Sequence, residues 1–163
     1  MAMDLSLELS LPSRPEYIAI VRLVVSSLAA ARRNLAEDRI DDLKLAVSEA
    51  CTNAIEANLA NGTDAPVVIR FWEAPERMEL CIADSGKGFD PDELPEHPPV
   101  TDPERLNFER GLGIPLIRNL VDDVRFELAA NGTSVWMTLF GGPAEESGDH
   151  TSEIIRVVTS EER

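Results

Sequence analysis

The sequence predicts an α+β fold: a two-layer α/β sandwich with a mixed, mostly antiparallel sheet and helices on one face. Three observations carry this prediction. Apolar residues alternate with polar ones in several short stretches and recur at three- and four-residue intervals in others. Two pairs of strand-like stretches are separated by only a few residues, as hairpins are. The resulting order is β, α, α, β, β, loop, α, β, β, which has few crossover helices and so disfavours a parallel sheet.

Taking the elements in order, Leu5, Leu7, Leu9 and Leu11 alternate with polar neighbours at the period of a half-buried strand. Pro12 and Pro15 break that strand, and residues 16–34 then place Ile18, Val21, Val25 and Leu28 at helical spacing. A second helix is predicted over residues 38–60, with Leu43, Val47, Ala50, Cys51, Ala54 and Ile55 on its apolar face and Asn61-Gly62 as its stop. Residues 66–72 and 77–83 read as an antiparallel hairpin across the short link 73–76. Residues 91–110 hold five prolines and much charge, a long loop of the kind that serves as a lid or is a simple solvated excursion. A shorter helix follows over residues 113–121, with Pro115 in its first turn, where a missing N–H costs little. Residues 123–129 and 133–140 close the sheet as a second hairpin, with Asn131-Gly132 as the turn signal. Beyond the 1–140 domain lies an acidic tail, 141–163, in which Ile154, Ile155, Val157 and Val158 are compatible with an added strand, a helix or an ordered tail.

With 163 residues, the chain is sized for one domain core. Fifteen Lys and Arg stand against 30 Asp and Glu, a formal net charge of −15, with no basic cluster beyond Arg32-Arg33. A direct nucleic-acid partner is therefore not expected, since phosphate backbones need a basic footprint. No apolar run approaches the roughly 18 residues of a membrane span, so no membrane is expected as a partner. Cys51 and Cys81 match no zinc spacing and lie in apolar stretches, which predicts buried thiols and a cytoplasmic setting.

Four short motifs carry candidate chemistry: Glu49-Ala-Cys-Thr-Asn53, Asp84-Ser-Gly-Lys-Gly88, Gly111-Leu-Gly113 and Gly132-Thr133. Singly each is weak; together they supply what a purine nucleotide and its metal need. Glu49 and Asn53 share a helix face, from which an amide oxygen can ligate Mg²⁺ and a carboxylate can take a proton from an attacking hydroxyl. Asp84 at a strand end can accept from an exocyclic amine, with Gly86 and Gly88 letting a base approach the backbone. Gly111 and Gly113 open a helix whose N–H groups can seat phosphate, Arg110 or Lys87 can offset phosphate charge, and Thr133 adds a hydroxyl at the same end of the sheet.

This ordered set resembles the N-box and glycine boxes of the gyrase, Hsp90, histidine-kinase and MutL ATPase superfamily. The likeness spans residues 5–140. Within that superfamily, Ala46-Val-Ser-Glu-Ala-Cys-Thr-Asn-Ala-Ile55 and Gly111-Leu-Gly-Ile-Pro-Leu-Ile117 look like the versions found in bacterial anti-sigma factor serine/threonine kinases. The resemblance implies a Bergerat-type ATP-binding fold using ATP and Mg²⁺, which sequesters a sigma factor and phosphorylates a STAS-type anti-anti-sigma protein. It also allows a homodimer. By the same resemblance Glu49 is the general base, Asn53 the Mg²⁺ ligand and Asp84 the adenine acceptor. Gly86, Gly88, Arg110, Gly111, Gly113 and Thr133 line the pocket, residues 91–110 form the ATP lid, and Arg22 meets protein partners. One departure stands out: where the family often carries a histidine or other polar residue four positions after the N-box asparagine, this chain has Ala57, flanked by Glu56 and Asn58. The competing reading is a nucleotide-gated protein-binding regulator of the same fold without significant kinase turnover. A detached histidine-kinase domain is disfavoured, because no phosphoacceptor-histidine helix precedes the N-box and His97 and His150 sit in polar segments.

Overall fold

Alternation places one row of apolar side chains on a single face of each strand, and the sheet registers align these rows. A computed structural model describes residues 4–32, 35–87, 113–141 and 155–158. β1 (Asp4–Leu11) pairs antiparallel with β2 (Val67–Ala74), matching Leu7 to Phe71 and Leu9 to Ile69, with a register shift between Leu5 and Leu7. β2 forms a hairpin with β3 (Arg77–Ala83), which pairs in turn with β5 (Gly132–Phe140), and β5 pairs with β4 (Asp123–Ala129). The order is β4-β5-β3-β2-β1-β6, and all pairings are antiparallel except that of β1 with β6 (Ile155–Val158). The tail segment whose conformation was open from sequence is thus a strand. It covers the β1 edge, whose unpaired backbone groups would otherwise be a template for other chains.

Leu7, Leu9, Leu11, Val67, Ile69, Phe71, Met78, Leu80, Ile82, Val135, Met137 and Leu139 face the helices and are buried with them in one core. α1 (Ile18–Ala31) contributes Val21, Val25 and Ala29, and α2 (Glu37–Ala60) contributes Leu43, Ala46, Val47, Ala50, Cys51, Ala54 and Ile55. α3 (Gly113–Leu120) contributes Ile114 and Ile117. The opposite face is polar and aromatic. Arg70 Nε donates to Glu8 Oε2 across β1 and β2 at 2.8 Å, Trp72 stacks on Trp136 at 4.8 Å, and the Arg125 guanidinium lies 4.4 Å over Trp136.

Helix boundaries differ from the sequence reading for identifiable reasons. The predicted 16–34 helix begins as a tight 3-10 turn at Pro15–Tyr17, since Pro15 brings no N–H to the first turn, and α1 proper is Ile18–Ala31. It stops there because Arg32 leaves helical geometry and its guanidinium grips the β2–β3 turn, donating to Glu73 Oε1 (2.7 Å), Ala74 O (2.7 Å) and Pro75 O (3.2 Å). α2 ends in a Schellman arrangement: Gly62, at φ 63°, donates to Leu59 O and Thr63 donates to Asn58 O. The thiols of Cys51 and Cys81 are free and buried, and burial pushes Cys51 up to about 12.

The β4–β5 connection corrects one expectation. Ala129 pairs with Gly132, so the loop is Ala130-Asn131 and Gly132 opens β5 instead of turning the hairpin. Its glycine answers a different need. At φ 142°, a Cβ on Gly132 would lie 1.9 Å from the Asp84 carbonyl oxygen.

Phe71→Ala should lower unfolding free energy by about 3–5 kcal/mol in chemical denaturation, because the ring is buried between both layers. Gly132→Ala should cost at least about 1–3 kcal/mol through backbone strain, although it adds only one methyl group. Wild-type stability in that variant would overturn the close approach of Asp84.

Candidate functional site

Two clusters of functional side chains meet along α2. The first lies on the face of α2 turned away from its Val47, Ala50, Cys51 and Ala54 stripe, where Glu49 and Asn53, one turn apart, are partly buried. Gly113, the first residue of α3, comes down on both: a Cβ there would lie 3.1 Å from Asn53 Nδ2 and 3.2 Å from Glu49 Oε2. α3 is held in this position from its other end. Arg39 on the first turns of α2 donates to Leu120 O at 3.2 Å and pairs with Asp122 at 2.8 Å, placing a cation at the α3 C-terminus where the helix dipole favours one. The N-terminus of α3 is thereby directed to the Glu49–Asn53 face, with no side chain at residue 113 to block it.

The second cluster forms where β3 and β5 run out. Asp84 N–H donates to Thr133 O at 2.9 Å, and the Asp84 Oδ1 atom accepts from Gly86 N–H (2.8 Å) and Thr133 N–H (3.2 Å). Both bonds fall on one carboxylate oxygen. Burial pushes the Asp84 carboxyl above its ordinary 3.8, against the pull of the two N–H bonds. Thr133 is 2% exposed and its Oγ1 has no hydrogen-bond partner among the described residues. A buried hydroxyl without a partner beside a half-buried carboxylate suits a ligand carrying both donors and acceptors.

The clusters are joined through the last turns of α2. A Cβ on Gly86 would lie 2.8 Å from Ala57 Cβ and 3.0 Å from the Ala57 carbonyl, so the Asp84 loop lies directly on the helix. Asn58, wholly buried, accepts from Ser85 N–H at 2.7 Å. Sequence reasoning gave Asn58 no function, noting it only as a neighbour of Ala57. The available signal was a polar residue continuing the apolar stripe of residues 47, 51 and 54.

Of the residues singled out from sequence, Glu49, Asn53 and Gly113 therefore converge, as do Asp84, Gly86 and Thr133. Arg22 is exposed on α1 and has no hydrogen bond or ion pair with either cluster among the described residues. Gly88, Arg110, Gly111 and the loop 91–110 lie outside the described residues. No group of three or more His, Cys, Asp or Glu side chains among the described residues could hold a metal ion by itself. The donor set fits Mg²⁺ only as a cation shared with bound phosphate, which is how that ion is usually held.

Comparisons with known proteins show the family. Residues 11–139 match the histidine kinase-like ATPase domain family. The chain is 38% identical over 138 residues to the serine-protein kinase RsbW of Bacillus subtilis (strain 168), covering 82% of this chain and 84% of that one. It is 37% identical over 153 residues to the serine-protein kinase RsbW of Bacillus pumilus, covering 91% and 92%. Among solved structures, one holding RsbU and RsbW domains from Mycobacterium tuberculosis shares the fold with a TM-score of 0.57 at 20% identity, over 86% of this chain and 34% of that longer one. No described helix is long and apolar enough to cross a membrane. The chain belongs to the histidine kinase-like ATPase family and, within it, to the anti-sigma factor serine/threonine kinases typified by RsbW.

Proposed function

We propose that this chain is a cytoplasmic ATP-dependent protein serine/threonine kinase that sequesters a sigma factor and phosphorylates a STAS-type anti-anti-sigma protein on Ser or Thr. The convergence of Glu49, Asn53 and the start of α3 at Gly113 carries the reading. The serine-protein kinase RsbW relatives support its reaction type.

In this reading Asp84 accepts from the adenine amine and the unpartnered Thr133 hydroxyl bonds the same base. Asn53 holds Mg²⁺, which when bound neutralises phosphate charge. Backbone N–H groups at the start of α3 seat phosphate, and Gly113 leaves that approach open. Glu49 takes the proton from the substrate hydroxyl, in a reaction where positioning and charge stabilisation carry most of the acceleration. Arg22, exposed on α1, meets the protein partner. A second reading is a nucleotide-gated regulator of the same fold with little turnover, favoured by Ala57, an apolar contact to Gly86.

Two predictions test the roles. Glu49→Ala should lower phosphoryl transfer to a STAS-domain substrate by about 10²–10⁴-fold while leaving Mg-ATP binding by calorimetry nearly unchanged. Equal transfer by variant and wild type would remove Glu49 as the base. Asp84→Asn should weaken Mg-ATP binding yet unfold at the same or a higher temperature than wild type at pH 7. The sign follows from the raised Asp84 pKa: its favourable contribution to stability is complete below 3.8 and is lost as pH rises through the higher folded-state value. The neutral variant escapes that loss, so its advantage should vanish on acidification below 3.8.

A further inference from the structure

Asn58 lies five residues past Asn53 on α2 and is completely buried. An uncharged amide in that position costs desolvation unless every polar atom is used, and here every one is. Its Nδ2 donates to Ser13 Oγ at 2.7 Å and to Ala65 O at 3.0 Å, and Ser13 Oγ itself donates to Ala65 O at 2.7 Å. Those bonds set the orientation of the amide, so Oδ1 is the atom that accepts from Ser85 N–H at 2.7 Å. The carbonyl of Ser85 is held from the other side, accepting from Asn61 Nδ2 at 3.1 Å. Both backbone polar groups of Ser85 are thus bonded to α2 or its cap, immediately after Asp84.

We propose that Asn58, assisted by Asn61, is a positioning residue for base recognition: together they clamp Ser85 so that the adjacent Asp84 carboxylate is presented to the nucleotide base at a fixed height above α2. This rests on the reading that Asp84 accepts from adenine. Among the described residues, Asp84 is hydrogen-bonded to β5 through Thr133 and to its own loop through Gly86. Neither tie relates it to α2, the helix that carries Glu49 and Asn53. The Ala57–Gly86 contact limits how closely the loop approaches the helix, but a steric stop sets no direction. Among the described residues, the directional link between the base end and the phosphate end of the site is the hydrogen bond from Ser85 to Asn58, with Asn61 opposite. Asn58 touches no ligand; it acts through Asp84.

A readout at the base alone separates positioning from general stability. Mg-ATP and the Mg complex of purine riboside triphosphate, which lacks the 6-amino group, are titrated calorimetrically into the full chain and into Asn58→Ala, Asn61→Ala and Ser13→Ala. Wild type should prefer ATP. Asn58→Ala should lower that preference by about tenfold by weakening ATP binding while purine riboside triphosphate affinity stays near wild type. Asn61→Ala, on an exposed side chain that the fold tolerates losing, should lower it in the same direction by less. Ser13→Ala disturbs the same buried network but leaves the Ser85 bond, and should keep the preference. Retention of the wild-type preference in both asparagine variants overturns the clamp while leaving Asp84 as the base contact. A proportional loss of both nucleotides in those variants also overturns it, since that is what a purely structural role produces. Equal affinity of wild type for the two nucleotides overturns the adenine reading of Asp84 and this inference with it.

Discussion

The packing of one 24-residue helix, α2, across the sheet is the constraint on which the site depends. Its buried stripe includes Ala46, Ala50 and Ala54, small residues that let the helix axis approach the apolar rows of β2 and β3. With that face committed to the core, helical geometry alone puts Glu49 and Asn53 on another face, one turn apart. α3 then packs on α2, pinned at its far end by Arg39, and brings Gly113 onto both residues. A slip in how α2 meets the sheet would disturb the Glu49–Asn53 cluster and the seat of the Asp84 loop together.

The Asp84 cluster carries polar burial that does not serve stability. Asp84 is half-buried against its preference, and the Thr133 hydroxyl is buried without a partner among the described residues. A core residue chosen for folding alone would satisfy or remove such groups. Beside a glycine that a side chain would drive into the Asp84 backbone, they fit the base recognition proposed above. Stability is recovered elsewhere, in the continuous apolar rows and in the Arg32 bonds that join α1 to the β2–β3 turn.

The net charge of −15 gives the chain as a whole no attraction for an anionic nucleotide. Local groups have to supply it. Backbone N–H groups at the start of α3, and a cation shared between phosphate and Asn53, can do so without a basic surface. The same acidic surface leaves cationic patches as the natural complement on the protein partners proposed above.

Much of this was legible in the sequence because it is local. Alternation in β1, three- and four-residue spacing in α2, the Asn61-Gly62 stop and the i, i+4 relation of Glu49 to Asn53 follow from the periods of strand and helix. What stayed hidden is contact between distant segments. Asn58 reaches Ser85 across 27 positions, Arg32 reaches Glu73 across 41 and Arg39 reaches Leu120 across 81, and no local pattern records such pairings. Gly132 was visible as a glycine, but its reason was misread: the hairpin turns one residue earlier, and both its backbone at φ 142° and the approach of Asp84, 48 positions away, demand the missing Cβ. By itself the sequence determined the α+β class, most of the elements and the residue types of a candidate nucleotide site, since periodicity and motif chemistry are properties of neighbouring residues. The tertiary structure alone decided the strand order, the place of β6 and the coupling of Asp84 to α2, because those depend on which surfaces the folded chain brings within hydrogen-bond distance.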